Sequence, residues 1–376
     1  MNSGHRVLRF CIHCLKSIIF LLFIHLLTSC TKEQPGGDWI IEVETGFSLA
    51  PANFGAAITR ADVTADVDAV KNLWILQFDG TSDASKLVKS EYKNSVDNLA
   101  DVKIILIKGS NQRVVFIANT FDSTLFNEEK ASPGVYSFSQ FKKKKFSISD
   151  ESGMFTGSGE KFMRMYGSYD EDVPSKDASV LLYRIGAKVI LTYTSDDVSS
   201  VPDGSRFRVT SVQLKDVPDS SSYISDPLNT VVATPAYVVN YPVTSGSATG
   251  VSGEAYSIND YDGFVSYYLP ENIRGVNLSV GTQQQKPLFA PVNSTWIEIK
   301  GEGIGSDDRV NEYVTFKLYL GNNLTTNYNI NNNTEYTINL KFKGINLKDA
   351  RLKVERISDI EIFQEEIIEW ENLQNH

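Results

Sequence analysis

The apolar residues of this chain fall in short runs, rich in β-branched and aromatic side chains and ending at turn residues. LWILQF (73–78), VKIILI (102–107) and RVVFIA (113–118) have strand length and strand composition. FRVTSVQL (207–214), YVTFKLYL (313–320) and YTINLKF (336–342) alternate with the period of two that turns one face of a strand to a core. KGSNQ (108–112) predicts a hairpin between the second and third runs. Between YVTFKLYL and YTINLKF, seven of the twelve residues from 322 to 333 are asparagine, a composition suited to turns. Helical spacing is scarce, and DSTLFNEEK (122–130) is the segment that fits a short helix. Many short strands punctuated by turns predict an all-β chain built of sandwiches.

SYDEDVPSKDAS (168–179) is polar, carries a proline and lacks apolar period, and VLLYRIGAKVILTYT then opens a new set of strands. This predicts one sandwich over residues 61–178 and a second over 179–376.

The first 29 residues pattern differently. Arg6 and Arg9 precede IIFLLFIHLL (18–27), an apolar run too short to span a bilayer but of signal-peptide length. It ends in LLTSC, which resembles the lipobox of bacterial lipoproteins, so Cys30 is expected to be lipidated and to become the first mature residue. Residues 1–29 are then a lipoprotein signal peptide.

Removing that leader changes the chemistry that remains. Cys11 and Cys14 leave with it, so CIHC is not a metal or redox motif of the mature chain. Histidines 5, 13 and 25 leave too, and only His376 remains. Ser–His–Asp and Cys–His catalysis and zinc sites built on His or Cys are excluded on this count. No catalytic residue, metal ligand or cofactor is assigned. Two carboxylates working as acid and base, as in a β-sandwich glycosidase, stay open among 46 acidic residues. The mature chain carries 33 basic and 46 acidic residues, a net charge of −13, which argues against nucleic acid as a partner.

Three motifs reduce to local structure. GEGIG (301–305) lies between WIEIK and EYVTFKLYL, a hairpin setting with no helix to cradle a phosphate. NDYDG (259–263), counted as part of a calcium loop, puts Ile258 and Leu269 where carboxylates are needed, so it is a surface turn. KKKK (142–145), after a Pro-Gly turn, fits a solvated loop or edge.

Several phrases together resemble the fimbrillin-like (FimA/Mfa-type, type V pilin) surface lipoproteins of Bacteroides-type bacteria. They are the lipobox leader, NLWILQFDG, LLYRIGAKVILTYT, YYLPENIRG (267–275) and FKLYLGNN…YNINNNTEYTINLKFKG (316–344). Where the family often has RNTxY, this chain has Asn332 before NTEY. The resemblance implies two tandem Greek-key, transthyretin-like β-sandwiches, and a pilin exported as a lipoprotein and then cut by an arginine-specific protease. Between Lys32 and Lys71 the only basic residue is Arg60, set among small residues in ITRADV. Cleavage of Arg60–Ala61 would release residues 30–60, a lipidated pro-segment whose DWIIEVETGFSL (38–49) is an acceptable strand. The groove left behind would accept a strand from a neighbouring subunit. The bland alternative is an incidental linker arginine.

The tail ISDIEIFQEEIIEWENL (357–373) alternates apolar and acidic residues, and residues 357–376 are either a donor strand or the last strand of the second sandwich. The resemblance thus implies a non-enzymatic fimbrial subunit, structural or adhesive. Its partners would be other subunits, the outer membrane through lipid on Cys30, and a host or bacterial surface ligand. Its places would be the outer membrane and the surface fimbrium. Two other functions stay open: an uncleaved fimbrial anchor, and a lipid-anchored glycan-binding protein using Trp296, Tyr267 or Tyr268 as sugar platforms.

Overall fold

A computed structural model describes residues 40–53, 55–56, 67–157, 160–173, 178–196, 206–224, 237–250, 255–258, 261–343 and 352–356. Its first half contributes β1 (Glu42–Pro51), β2 (Gly55–Ala56), β3 (Leu73–Phe78), β4 (Leu87–Lys93), β5 (Val102–Ile107), β6 (Gly109–Ala118), β7 (Lys145–Ser147), β8 (Met165–Val173) and β9 (Ala178–Arg184). Then come β10 (Ala187–Ser195), β11 (Arg206–Lys215), β12 (Ser220–Ser222), β13 (Asp262–Leu269), β14 (Trp296–Ile304), β15 (Val310–Tyr319), β16 (Thr334–Phe342) and β17 (Leu352–Arg356). The all-β expectation is met.

Seven strands form one sheet in the order β4-β3-β6-β8-β9-β1-β5. Its two ends share one core: Leu73 and Ile75 of β3 cluster with Val102, Ile104 and Leu106 of β5, together with Phe47, Leu49, Val114 and Phe116. The sheet therefore curls on itself and encloses that core. The opposite face of β3 is buried too, because Trp74, Leu76 and Phe78 belong to a second, larger cluster. Burial on both faces is why LWILQF reads as an unbroken apolar run rather than an alternating one.

The hairpin expected at KGSNQ does not form. β5 pairs with β1 at one end of the sheet, while β6 lies between β3 and β8. The link crosses from one side of the core to the other, and Asn111, with φ of +51°, lies within β6 where its register against β8 shifts. Locally the turn chemistry is right, but the pairing partners are set by distant strands.

Ala178–Arg184 pairs in the first sheet, and the next strand, β10, begins the second half after only two intervening residues. There, one four-stranded sheet runs β13-β10-β16-β2 and another β11-β14-β15-β17. Their apolar faces share a core of Val189, Leu191, Phe207, Val209, Ile299 and Phe316 among others. Phe207 and Phe316 both meet Phe342 edge-on, at 4.4 and 5.6 Å between centroids. GEGIG ends β14, which is antiparallel to β15, as the hairpin setting predicts. A short pairing of β7 with β12 ties the two halves together.

Helix is confined to short pieces. α1 (Asn127–Ala131) covers only the end of the segment expected to be helical, and α2 (Phe138–Phe141) starts at a capping box formed by Ser137 and Gln140. The lysine run follows α2 directly: Lys142 pairs with Asp83 at 2.8 Å and Lys144 with Glu129 at 2.6 Å.

Candidate functional site

The sequence points to the N-terminal strand, and the structure seats that strand inside a sheet, next to the edge strand β5. In β1, Val43, Thr45, Phe47 and Leu49 alternate inward. Phe47 to Pro51 run parallel to Ala178 to Leu182 of β9. Glu42 to Phe47 run antiparallel to Val102 to Ile107 of β5. The Phe47 ring packs edge-on against Phe116 at 5.0 Å and Tyr169 at 5.4 Å. Fully burying Phe47 and Leu49 contributes about 1.5–3 kcal/mol each. The leading half of β1 thus bonds β5 and its trailing half bonds β9, with Phe47 facing both, and lifting it out would leave those backbone groups unpaired.

The same segment also reaches the second half of the molecule. Gly55 and Ala56 of β2 lie parallel to Thr334 and Glu335 at the start of β16. One N-terminal stretch thus completes two sheets.

Between β1 and β2 the chain is held by Arg184, a buried residue at the end of β9. Its Nη1 donates to the Ala52 carbonyl at 2.5 Å and to Asn333 Oδ1 at 3.0 Å. Nε and Nη2 both donate to the Asp68 carboxylate at 2.6 Å, a two-pronged ion pair. The guanidinium therefore touches the chain on both sides of the Arg60–Ala61 bond. Asn333 continues the network: its Nδ2 donates to the Asn53 carbonyl at 2.7 Å, and its backbone N–H to the Gly186 carbonyl at 2.7 Å. Asn333 sits in the left-handed region with φ of +51°, a conformation asparagine tolerates. Gly186 has φ of +146°, and a Cβ there would lie 2.3 Å from Met154 Cε, so the turn that presents its carbonyl requires glycine.

Of the residues expected to carry processing, Cys30, Arg60 and Ala61 lie outside the described residues, as does the tail 357–376. The strand before that tail, β17, pairs antiparallel with β15 at the edge of its sheet. Arg184 and Asn333 were not marked by periodicity or composition. The signals present were two phrases of the resemblance: LLYRIGAKVILTYT contains Arg184, and NTEY opens with Asn333.

The aromatic residues considered as sugar platforms divide. Tyr268 is buried, and its backbone N–H donates to Glu151 Oε1 at 2.8 Å. Trp296 is half-buried, stacks on Tyr319 at 5.9 Å and donates from Nε1 to Asp216 Oδ2 at 2.9 Å. Tyr267 is nearly covered but contributes to the wall of a cleft of about 320 Å³, with Asp150, Glu151, Tyr241, Thr244 and Tyr256. Burial, with Glu151 nearby, pushes the Tyr241 and Tyr267 phenols upward, so both stay neutral hydrogen-bonding groups. Among the described residues no group of three or more His, Cys, Asp or Glu is placed to hold a metal ion.

Residues 267–340 match the model of a domain of unknown function (DUF4906). No curated protein matches the chain. Among solved structures, a candidate cell adhesion protein from Parabacteroides distasonis aligns over 84% of this chain and 96% of its own, at 16% identity with a TM-score of 0.52. This chain has that protein's fold. A candidate cell adhesion protein from Bacteroides eggerthii aligns over 83% of this chain and 94% of its own, at 11% identity and a TM-score of 0.48. The tip fimbrial protein Mfa3 from Porphyromonas gingivalis aligns over 84% and 98%, at 12% identity and a TM-score of 0.44. The all-β fold that the resemblance implies is borne out.

Proposed function

We propose that this protein is a fimbrial subunit exported as a lipoprotein precursor with lipid on Cys30. Its N-terminal segment holds the strand slot closed until Arg60–Ala61 is cut. A strand from another subunit then takes the vacated place, and the role is structural or adhesive rather than enzymatic. The observation that carries this is the seating of β1 between β9 and β5, with Phe47 and Leu49 in the core. A strand seated inside the sheet and lying upstream of a lone arginine is what a removable plug requires. Each buried donor or acceptor uncovered by its loss costs roughly 1–3 kcal/mol, which favours refilling by a new strand. The fold shared with a candidate adhesion protein supports a place at the cell surface.

Intact mass and N-terminal sequencing of protein recovered from the cell surface test the proposal, with Arg60→Ala as control. A start at Ala61 that disappears in the control, together with any detergent-resistant ladder, is the expected result. A lipidated Cys30 on all recovered protein would overturn processing and favour an uncleaved anchor.

One observation favours a second function, saccharide binding: the cleft that joins Tyr241, Tyr256 and Tyr267 to the buried carboxylate of Glu151. Saturable polysaccharide binding by the intact monomer, lost in Tyr256→Ala, would establish it. No binding across a glycan array would remove it.

A further inference from the structure

Alternation of apolar residues fixes which face of a strand points inward, but it fixes register only to within two residues. A slip of β1 by two along β9 would still turn Val43, Thr45, Phe47 and Leu49 inward, each one site displaced. Side-chain pattern alone therefore leaves the slot with neighbouring registers of similar fit. The backbone contacts at its end do not. A two-residue slip carries the Ala52 carbonyl about 6.6 Å along the strand, beyond reach of Arg184 Nη1.

We propose that Arg184 and Asn333 form a register pin for whatever strand occupies the slot, by engaging two consecutive backbone carbonyls. In this chain those carbonyls belong to Ala52 and Asn53. The inference rests on the slot being able to receive a second strand. The pin is rigid for reasons on both sides. Arg184 is fixed by the Asp68 carboxylate, and its backbone N–H donates to Asn333 Oδ1 at 3.2 Å. Asn333 is fixed in turn by the Gly186 carbonyl. Asp68 follows Arg60, so the guanidinium stays held when the N-terminal segment departs. What is lost to the buried side chains of Arg184 and Asn333 is the acceptor at buried Ala52 and the acceptor at exposed Asn53. An incoming strand regains them only in one register. Because the pin contacts main chain, it accepts any extended peptide with apolar alternation, provided two bare carbonyls follow the last inward residue. It discriminates alignment, not sequence.

The test uses the full chain with a sequence-specific protease site replacing residues 57–60, cut in vitro. Exchange of the bound fragment for a labelled peptide of residues 38–56 is followed in urea below the unfolding transition. A peptide with an ester in place of the Ala52–Asn53 amide has a weaker acceptor at Ala52. It is expected to bind about five- to tenfold less tightly than the amide peptide. The difference is expected to vanish in Arg184→Gln, and Asn333→Ala is expected to weaken both peptides. Equal binding of amide and ester peptides to the unsubstituted protein would overturn the pin, even where Arg184→Gln does not fold. A labelled peptide of residues 357–376 forms a separate arm. Its failure to enter the slot would count against the tail as donor without touching the comparison of amide and ester.

Discussion

Gln77 and Ile107 exchange two hydrogen bonds across the curled sheet: Gln77 Nε2 donates to the Ile107 carbonyl at 2.6 Å, and the Ile107 N–H donates to Gln77 Oε1 at 2.8 Å. The side chain of β3 thus serves the end of β5 as a neighbouring strand would. It closes the seven-stranded sheet where no ladder connects its two sides. Gln77→Leu keeps the volume and removes both partners. The expected loss is about 2–4 kcal/mol, since each stranded backbone group costs ~1–3 kcal/mol. A lower urea midpoint with unchanged slope checks it.

Thr45 makes β1 an imperfect occupant of its slot. Its side chain is buried in the core face, and among the described residues its hydroxyl has no hydrogen-bond partner. Thr45→Val replaces that hydroxyl with a methyl of similar size. Stability of the uncut chain is expected to rise by about 1–2 kcal/mol. Release of the segment after cleavage should slow in step. Thermal unfolding of the intact protein and fragment release from the cut one measure the two effects.

Lys286 offers a pH-dependent check on the second half. It is buried in the 3-10 turn Gln283–Phe289, and its Nζ donates to the carbonyls of Leu320 at 3.2 Å and Asn323 at 2.9 Å. Burial pulls its pKa from 10.5 to about 8. The folded chain therefore loses this proton before the unfolded chain does. Below about pH 8 both states are charged, and the cost of burying the ammonium is fully present. Between about pH 8 and 10.5 the unfolded chain binds more protons, so stability rises with pH. Relative to Lys286→Met, the unsubstituted protein is expected to gain on the order of 2–3 kcal/mol across that window. Denaturant titrations of both proteins at pH 7, 8.5 and 10 would show a constant difference if the lysine titrates normally.

Gly186→Ala tests the turn behind Asn333. The added Cβ meets Met154 Cε at 2.3 Å and the Leu269 carbonyl at 3.1 Å, at a φ of +146°. A loss of about 2–4 kcal/mol is expected from the clash and the strained backbone together. Equilibrium unfolding gives the magnitude.

Local patterning located strands well and their partners poorly. LWILQF and VKIILI coincide with β3 and β5. Both runs are bounded by turn residues, so composition alone delimits them. KGSNQ misled because its turn chemistry is satisfied equally by a hairpin and by a crossing between opposite sides of a core. The choice is made by β1, which takes the place beside β5. Tyr267 and Tyr268 show the same limit. Adjacent residues on a strand point to opposite faces, yet both are buried, because the 3-10 turn around Glu151 and the Phe155 ring covers the second face. No local signal foretells that cover. Nor does one foretell the network at Arg184, whose members come from four separate parts of the sequence: Ala52 and Asn53, Asp68, Arg184 and Asn333.

The placement of β1 has a mechanical consequence. A strand bonded to neighbours throughout its length and pulled along its own axis must yield its cross-links together, under shear. A strand peeled from an edge surrenders them one at a time. Tension on the chain ahead of Glu42 loads β1 in the first way, its leading half against β5 and its trailing half against β9. A joint of that kind holds under a steady pull and gives way chiefly when its surroundings unfold.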